Sequence, residues 1–112
     1  MPKRRTDRSL TGAALLFAAL GDPTRLTLVR QLADGGPASI STLAEKQSMT
    51  RQGVTKHLHV LAEAGVIAGS RRGREQVWTL NPQRLGEGRR HIDVIAAGWL
   101  EALDRLKSLV EE

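Results

Sequence analysis

The segment TRQGVTKHLHVLAEA, residues 50–64, decides the fold of this chain. Written as a helix, it has two faces. Val54, Leu58 and Leu61 recur at helical spacing and predict a stripe that packs into a core. The other face combines hydrogen-bonding side chains and one fixed cation, with no carboxylate: Gln52, Thr55, Lys56 and His59. Base edges in a DNA major groove offer donors and acceptors between walls of phosphate, so this face is typical of a helix that reads DNA.

The flanking residues predict where this helix begins and how it is approached. Thr50 is a good N-cap, and Gly65 is expected to end the helix. Upstream, Ser41 is predicted to cap a short third helix over residues 42–47, with residues 48–49 as the turn between the two. A short helix, a tight turn and a second helix form a helix-turn-helix unit.

Two extended runs, residues 66–71 and 75–80, follow the 50–64 helix and predict a β-hairpin with Gly73 in its turn. Trp78 and Leu80 are expected to face the core. The tip carries three cations: Arg71, Arg72 and Arg74. Arginines at such a tip are expected to contact the DNA backbone or a narrow minor groove, the alternative being a solubilising turn.

Two residues of the 50–64 helix have separate expected roles. Arg51, at the start of the helix, is expected to contact a phosphate. His57 lies beside the apolar stripe, which favours a structural hydrogen bond over base reading. For the polar face as a whole, the alternative to DNA contact is a solvated helix surface.

The first half of the chain is predicted as an arm and two helices. Residues 1–9 look like a flexible basic arm that either adds phosphate affinity or is an unstructured tail. Residues 10–20 predict the first helix. Asp22 is expected to cap a second helix that begins at Pro23, where the missing N–H costs nothing, and ends near residues 34–37.

The last segment, about residues 83–110, is predicted as one helix with an apolar seam at alternating steps of three and four. A seam of this kind favours a partner helix. We therefore expect a homodimer built from the two end helices, against the alternative that both pack back on their own domain. The expected interface residues are Leu16, Phe17, Ile92, Ile95, Trp99, Leu103 and Leu106.

Composition narrows the class of protein further. The chain of 112 residues has 40% hydrophobic residues, no cysteine and a net charge of +5, which suits one domain without disulfides or thiolate metal sites. Six cations and one acid lie between Lys46 and Arg74, an excess equal to that of the whole chain. Such a local excess favours a polyanionic partner, although basic surfaces are common. No membrane span, signal peptide, phosphate loop or catalytic triad is recognisable, so a cytoplasmic protein that is not an enzyme is expected.

Several segments together resemble the ArsR-type winged-helix transcriptional repressors, from about Leu10 to the C-terminus. They read LGDPTR at 20–25, ISTLA at 40–44, TRQGVTKHL at 50–58, LAEAGVI at 61–67 and GRE to WTLNP at 73–82. The resemblance implies a mainly α fold with a small β-hairpin, a winged helix-turn-helix that dimerises through its N- and C-terminal helices. It also implies a homodimeric repressor of a pseudo-palindromic operator in double-stranded DNA.

The chain departs from the metal-sensing members of that family. Where they carry a Cys-x-Cys pair, this sequence has Ser39 and Ser41, whose hydroxyls are poor ligands for soft metals. Its last helix has a single histidine, His91. We expect a member without a metal site or cofactor. The sequence does not identify an inducer, and it leaves open a small organic molecule or a protein in that role. The alternatives are a winged-helix protein–protein interaction module and a non-specific architectural DNA binder.

Overall fold

The computed structural model describes residues 5–111, with side chains from residue 10 onward. Five helices and three strands follow one another along the chain. They are α1 (Arg5–Leu20), α2 (Pro23–Gly35), β1 (Ala38–Ser39), α3 (Ile40–Gln47), α4 (Arg51–Glu63), β2 (Ile67–Arg72), β3 (Glu75–Leu80) and α5 (Pro82–Glu111).

The N-terminal boundary differs from the sequence prediction. Helix α1 begins at Arg5, so residues 5–9, which we predicted to be part of a flexible arm, are helical. Lys3 and Arg4 of the predicted arm lie outside the described residues. Polar and charged residues continue a helix readily once the apolar turns that follow are packed, which periodicity alone does not reveal.

Side-chain caps fix the starts of the central helices. Asp22 accepts a hydrogen bond from the backbone N–H of Arg25 at 3.0 Å, as the Asp-Pro start of α2 predicted. The predicted cap of α3 is wrong, because Ser39 and not Ser41 accepts from the N–H of Thr42, at 3.2 Å. Helix α3 therefore begins two residues earlier than expected.

The sheet contains one strand more than the predicted hairpin. All pairings are antiparallel in the order β1-β3-β2, with Ala38 opposite Trp78 and Arg72 opposite Glu75. Strand β1 has two residues, too few to show an alternating pattern, so only its pairing with β3 defines it. Gly73, in the two-residue turn of the hairpin, has φ 64°, which an L side chain rarely adopts.

The core is built by every element of the helix-turn-helix and by α1, but hardly by α5. Its fully buried side chains are Leu16, Leu28, Leu43, Val54, Leu58, Leu61 and Val66. Trp78 is buried and Leu80 packs against the same cluster, as predicted. In α5 only Gly88 is buried, at the crossing with α1, where an added Cβ would meet Leu16 Cδ2 at 2.5 Å.

This packing corrects one part of the predicted dimer interface. Leu16 is 1% exposed and lies in the core of its own chain, and Phe17 packs partly buried against the same core. Both face the first turns of α5 at Gly88. The large apolar residues of α1 that remain exposed are Leu10 and Leu15. The spacing of α1 allowed either face to be buried, and the α1–α5 crossing determines which one is.

No helix in the described part of the chain is both long enough and apolar enough to span a lipid bilayer.

Candidate nucleic-acid interface

Helix α4 presents one face to the core and the other to solvent. Val54, Leu58 and Leu61 are completely buried. Gln52, Lys56 and His59 are exposed on the opposite side, and Thr55 is half-buried. The division predicted from the spacing is therefore present in the structure, and the hydrogen-bonding groups of α4 remain accessible.

The start of α4 is rigidly defined. Thr50 Oγ1 accepts from the N–H of Gly53 at 3.0 Å, which confirms the predicted cap. Ser48 ends α3 in the left-handed conformation with φ 54°, and its N–H bonds back to the last turn of that helix. These hydrogen bonds fix the conformation of the turn between α3 and α4, and with it the position at which α4 begins.

Thr55 has less hydrogen-bonding capacity than the sequence implies. Its hydroxyl donates to the carbonyl oxygen of Arg51 one turn earlier, at 2.6 Å. Only the lone pairs of Oγ1 remain for an external group, so Thr55 can accept but not donate while this bond holds.

His59 lies where α4 meets the β2–β3 hairpin (residues 67–80), which we call the wing. Its ring is 6.4 Å from that of Trp78 in β3, with an interplanar angle of 61°, an edge-to-face arrangement. The side chain is exposed, yet it also packs at the joint between the helix and the sheet. His59 therefore contacts another element of the fold as well as solvent.

His57 faces away from this surface and makes the structural contacts expected of it. Its Nδ1 lies 3.5 Å from Nη1 of Arg25 and 3.9 Å from Oδ2 of Asp22. The backbone N–H of Arg25, together with the charges of Arg25 and His57, holds the pKa of Asp22 below its ordinary value. Arg25 also donates from Nε to the carbonyl oxygen of Ala19 at 2.6 Å, which joins the end of α1 to α2 and α4.

A pocket beside the wing brings together three of the predicted arginines. It has a volume of about 160 Å³ and lies between the start of α3, the start of α4 and the hairpin. Its lining residues are Ser39, Ile40, Ser41, Arg51, Arg71, Arg74, Glu75 and Gln76. We call it the arginine pocket. Arg72 is not among them; it lines a neighbouring cavity with Gln31 and Lys46, and that cavity shares Ser39 and Glu75 with the arginine pocket.

Arg84, to which the sequence analysis gave no role, connects the end of α4 to both end helices. From the start of α5 it donates to the carbonyl oxygens of Ala64 at 2.9 Å and Gly12 at 2.7 Å. It also pairs with Glu87 at 2.7 Å. A lone arginine in a basic chain carries no sequence signal for such a role, which arises only when α1, α4 and α5 meet.

The remaining predicted interface residues form an uncovered apolar surface on α5. In the single chain, exposure ranges from 41% at Leu103 to 68% at Ile95. We call this set, which is completed by Ile92, Trp99 and Leu106, the α5 seam. Contiguous apolar surface of this kind is typical of an interaction site.

The helix-turn-helix, the exposed polar face of α4 and the hairpin beside it define a winged helix-turn-helix protein. The sequence-family model described as a helix-turn-helix domain matches residues 20–69. The HTH-type transcriptional regulator Rv2034 of Mycobacterium tuberculosis is 32% identical over 95 residues, 85% of each chain. The transcriptional repressor SdpR of Bacillus subtilis is 32% identical over 66 residues, 59% of this chain and 72% of SdpR.

The fold comparison agrees with the sequence comparison. An ArsR-like transcriptional regulator from Rhodococcus sp. RHA1 has a TM-score of 0.80 and 30% identity, covering 89% of this chain and 93% of that one. The chain belongs to the ArsR-type family of winged helix-turn-helix transcriptional regulators, as the resemblance of its motifs predicted.

Proposed function

We propose that two copies of this chain form a repressor that binds a pseudo-palindromic operator. In this proposal α4 enters the major groove, and Gln52, Thr55, Lys56 and His59 face the base edges and the groove walls. The observation that carries it is the division of α4: its core-facing stripe is buried, while the hydrogen-bonding side chains of Gln52, Lys56 and His59 are exposed on the other side. The arginine pocket and Arg72 place further positive charge beside that face.

Dimer formation is the second part of the proposal. The α5 seam repeats at coiled-coil spacing and is exposed along its length in the single chain. A second copy would bury it and present two α4 helices related by a twofold axis. Dimeric helix-turn-helix proteins bind half-sites about 34–36 Å apart, so a matching spacing is expected in the operator.

We further propose that the chain acts by DNA binding alone, in the cytoplasm, and responds to a small organic molecule or a protein. The similarity to a transcriptional repressor, SdpR, supports repression. At one of the two positions where metal-sensing relatives carry cysteines, the hydroxyl of Ser39 is already engaged as the cap of α3. That engagement supports a regulator that senses no metal.

Selection of bound duplexes from a random pool tests the function. We expect an enriched sequence with twofold symmetry, and an affinity for it about 10³- to 10⁷-fold above that for random duplex. Enrichment of no sequence, with salt-dependent binding to every duplex, would instead identify a non-specific architectural protein. Failure to bind any duplex would leave the protein–protein interaction module as the better account.

A further inference from the structure

We propose that the arginine pocket binds one phosphate of the DNA backbone, held jointly by Arg51, Arg71 and Arg74, and that Arg72 takes no part in this contact. The inference rests on the proposed DNA-binding function and makes it more specific. It assigns residues from two separate elements, the start of α4 and the wing, to a single group on the DNA.

The size of the pocket suits a small charged group. At about 160 Å³ it is well below the roughly 300–1,000 Å³ of sites that enclose whole organic ligands. It is also open to solvent, since Arg51, Arg71, Arg74 and Glu75 are all exposed. A phosphodiester of a bound duplex can enter such a pocket while its sugars remain outside.

The charge of the pocket is not neutralised from within. Glu75 is its one carboxylate. Among residues 10–111, whose side chains are described, the ion pairs within 4.0 Å all lie elsewhere and none joins Glu75 to an arginine. The three guanidinium groups therefore keep their donors for an external acceptor. Their planar fork matches phosphate oxygens, with which it forms short, charge-assisted hydrogen bonds.

The start of α3 adds to the attraction for an anion. Ser39 and Ser41 line the pocket at the first turn of this helix, where the backbone dipole is positive. The Ser39 hydroxyl is engaged, since it accepts from the N–H of Thr42 and donates to Thr42 Oγ1 at 3.1 Å. The exposed hydroxyl of Ser41 is the one in a position to donate.

The strand register explains why Arg72 is separate. Arg71 is opposite Gln76 and Arg72 is opposite Glu75 in the β2–β3 ladder. Neighbouring residues of a strand point to opposite faces of the sheet. Arg72 lines the cavity that contains Lys46 instead. It has the same charge and lies in the same hairpin, so it is a matched control for Arg71 and Arg74.

A double-mutant cycle on salt-dependent binding tests the shared phosphate. The probe is a short mixed-sequence duplex, because a backbone contact does not depend on sequence. If Arg51 and Arg74 hold one phosphate, the loss of affinity in Arg51→Ala/Arg74→Ala will be at least about threefold smaller than the product of the two single losses. The slope of log K against log salt will fall by no more than about 0.9 per chain in the double variant, because the two arginines neutralise a single phosphate.

The control pair distinguishes this result from a general loss of charge. In Arg72→Ala/Arg74→Ala the losses should multiply and the changes in slope should add. If Arg51→Ala/Arg74→Ala behaves in the same additive way, the shared contact is disproved while DNA binding by the parent still stands. If the parent binds neither this duplex nor a selected operator, both this inference and the proposed function fail. All these side chains are exposed, and circular dichroism of each variant verifies its fold.

The carboxylate of the pocket provides an independent test in the opposite direction. Glu75→Gln removes the carboxylate that the arginine pocket shares with the cavity of Arg72, and should tighten duplex binding by about two- to fivefold. Glu63→Gln is the matched control, since Glu63 is exposed at the other end of α4 and is not part of the pocket. Equal effects of the two substitutions would show that only net charge matters and would overturn the assignment.

Discussion

Helices α4 and α5 are both amphipathic, but only α4 has its main apolar face buried within its own chain. The core-facing stripe of α4, formed by Val54, Leu58 and Leu61, is fully buried, whereas Ile95 and Trp99 of α5 are 68% and 65% exposed. The core of the helix-turn-helix therefore forms within one copy. The long helix leaves its own stripe uncovered, and the comparison implies that this surface is built for a second copy.

Ile95→Glu tests the α5 side of this comparison and should have the largest effect. The substitution puts a carboxylate in the middle of the α5 seam, where dimer formation would bury it without a partner. We expect a monomer in sedimentation velocity. The operator affinity should be lower by about 100- to 10,000-fold, because the two DNA-binding domains are no longer linked when they bind the two half-sites. Ser108→Glu adds the same charge at an exposed polar position of α5 and should leave both properties unchanged. A dimeric Ile95→Glu protein with full affinity would contradict the assignment.

Leu58→Ala and Leu106→Ala compare the same chemical change on the two helices. Leu58 is fully buried in the core, so its truncation should cost about 2–5 kcal/mol of unfolding free energy at any protein concentration. Leu106 is exposed in the single chain, so its truncation should lower stability only where the dimer forms. Urea denaturation at several protein concentrations measures both. Equal, concentration-independent losses would show that α5 packs on its own domain.

Gln52→Ala tests the reading face of α4. It should weaken the free energy of binding to the selected operator by about 1–3 kcal/mol and relax the sequence preference at one symmetric pair of base positions. Thr55→Ala should cost less, because the Thr55 hydroxyl already donates to Arg51. Arg72→Ala should weaken all duplexes evenly. The face is wrongly assigned if Gln52→Ala retains the parent's affinity and sequence preference.

The smallest effect is expected from metal ions. Zinc, cadmium and arsenite at low micromolar concentration should leave operator binding unchanged. Tight binding of such ions requires several nitrogen or sulfur ligands that converge on one ion. The chain has no cysteine, and its last helix has one histidine. A titration of the protein–operator complex with each ion measures this. Release of the DNA at stoichiometric metal would reveal a site that this account lacks.

Periodicity and capping were sufficient to predict the parts of the fold that depend on neighbouring residues. The two faces of α4, its cap at Thr50 and the β-hairpin with Gly73 at its turn follow from residues a few positions apart. Trp78 and Leu80 alternate in β3 and were expected in the core, where the structure places them. Local rules succeed here because each feature is determined within one element or one turn.

The features that sequence did not predict depend on residues far apart in the chain. Strand β1 is defined by pairing with β3 almost forty residues later, and the burial of Leu16 is set by the crossing of α1 with Gly88. Arg84 bonds to a carbonyl 72 positions away. The eight residues predicted to bind DNA fall into two groups in the sequence, the α4 helix and the hairpin, whereas the structure joins Arg51 to Arg71 and Arg74 in one pocket. Only the tertiary fold brings such pairs together.

The mass of the protein–operator complex tests the central claim most directly, because the contrast between α4 and α5 requires two chains on one operator. Sedimentation equilibrium of the parent with its selected duplex should give two chains per duplex, and a dimer for the free protein at micromolar concentration. One chain per duplex, with a monomeric free protein, would show that α5 needs no second copy and would contradict the account.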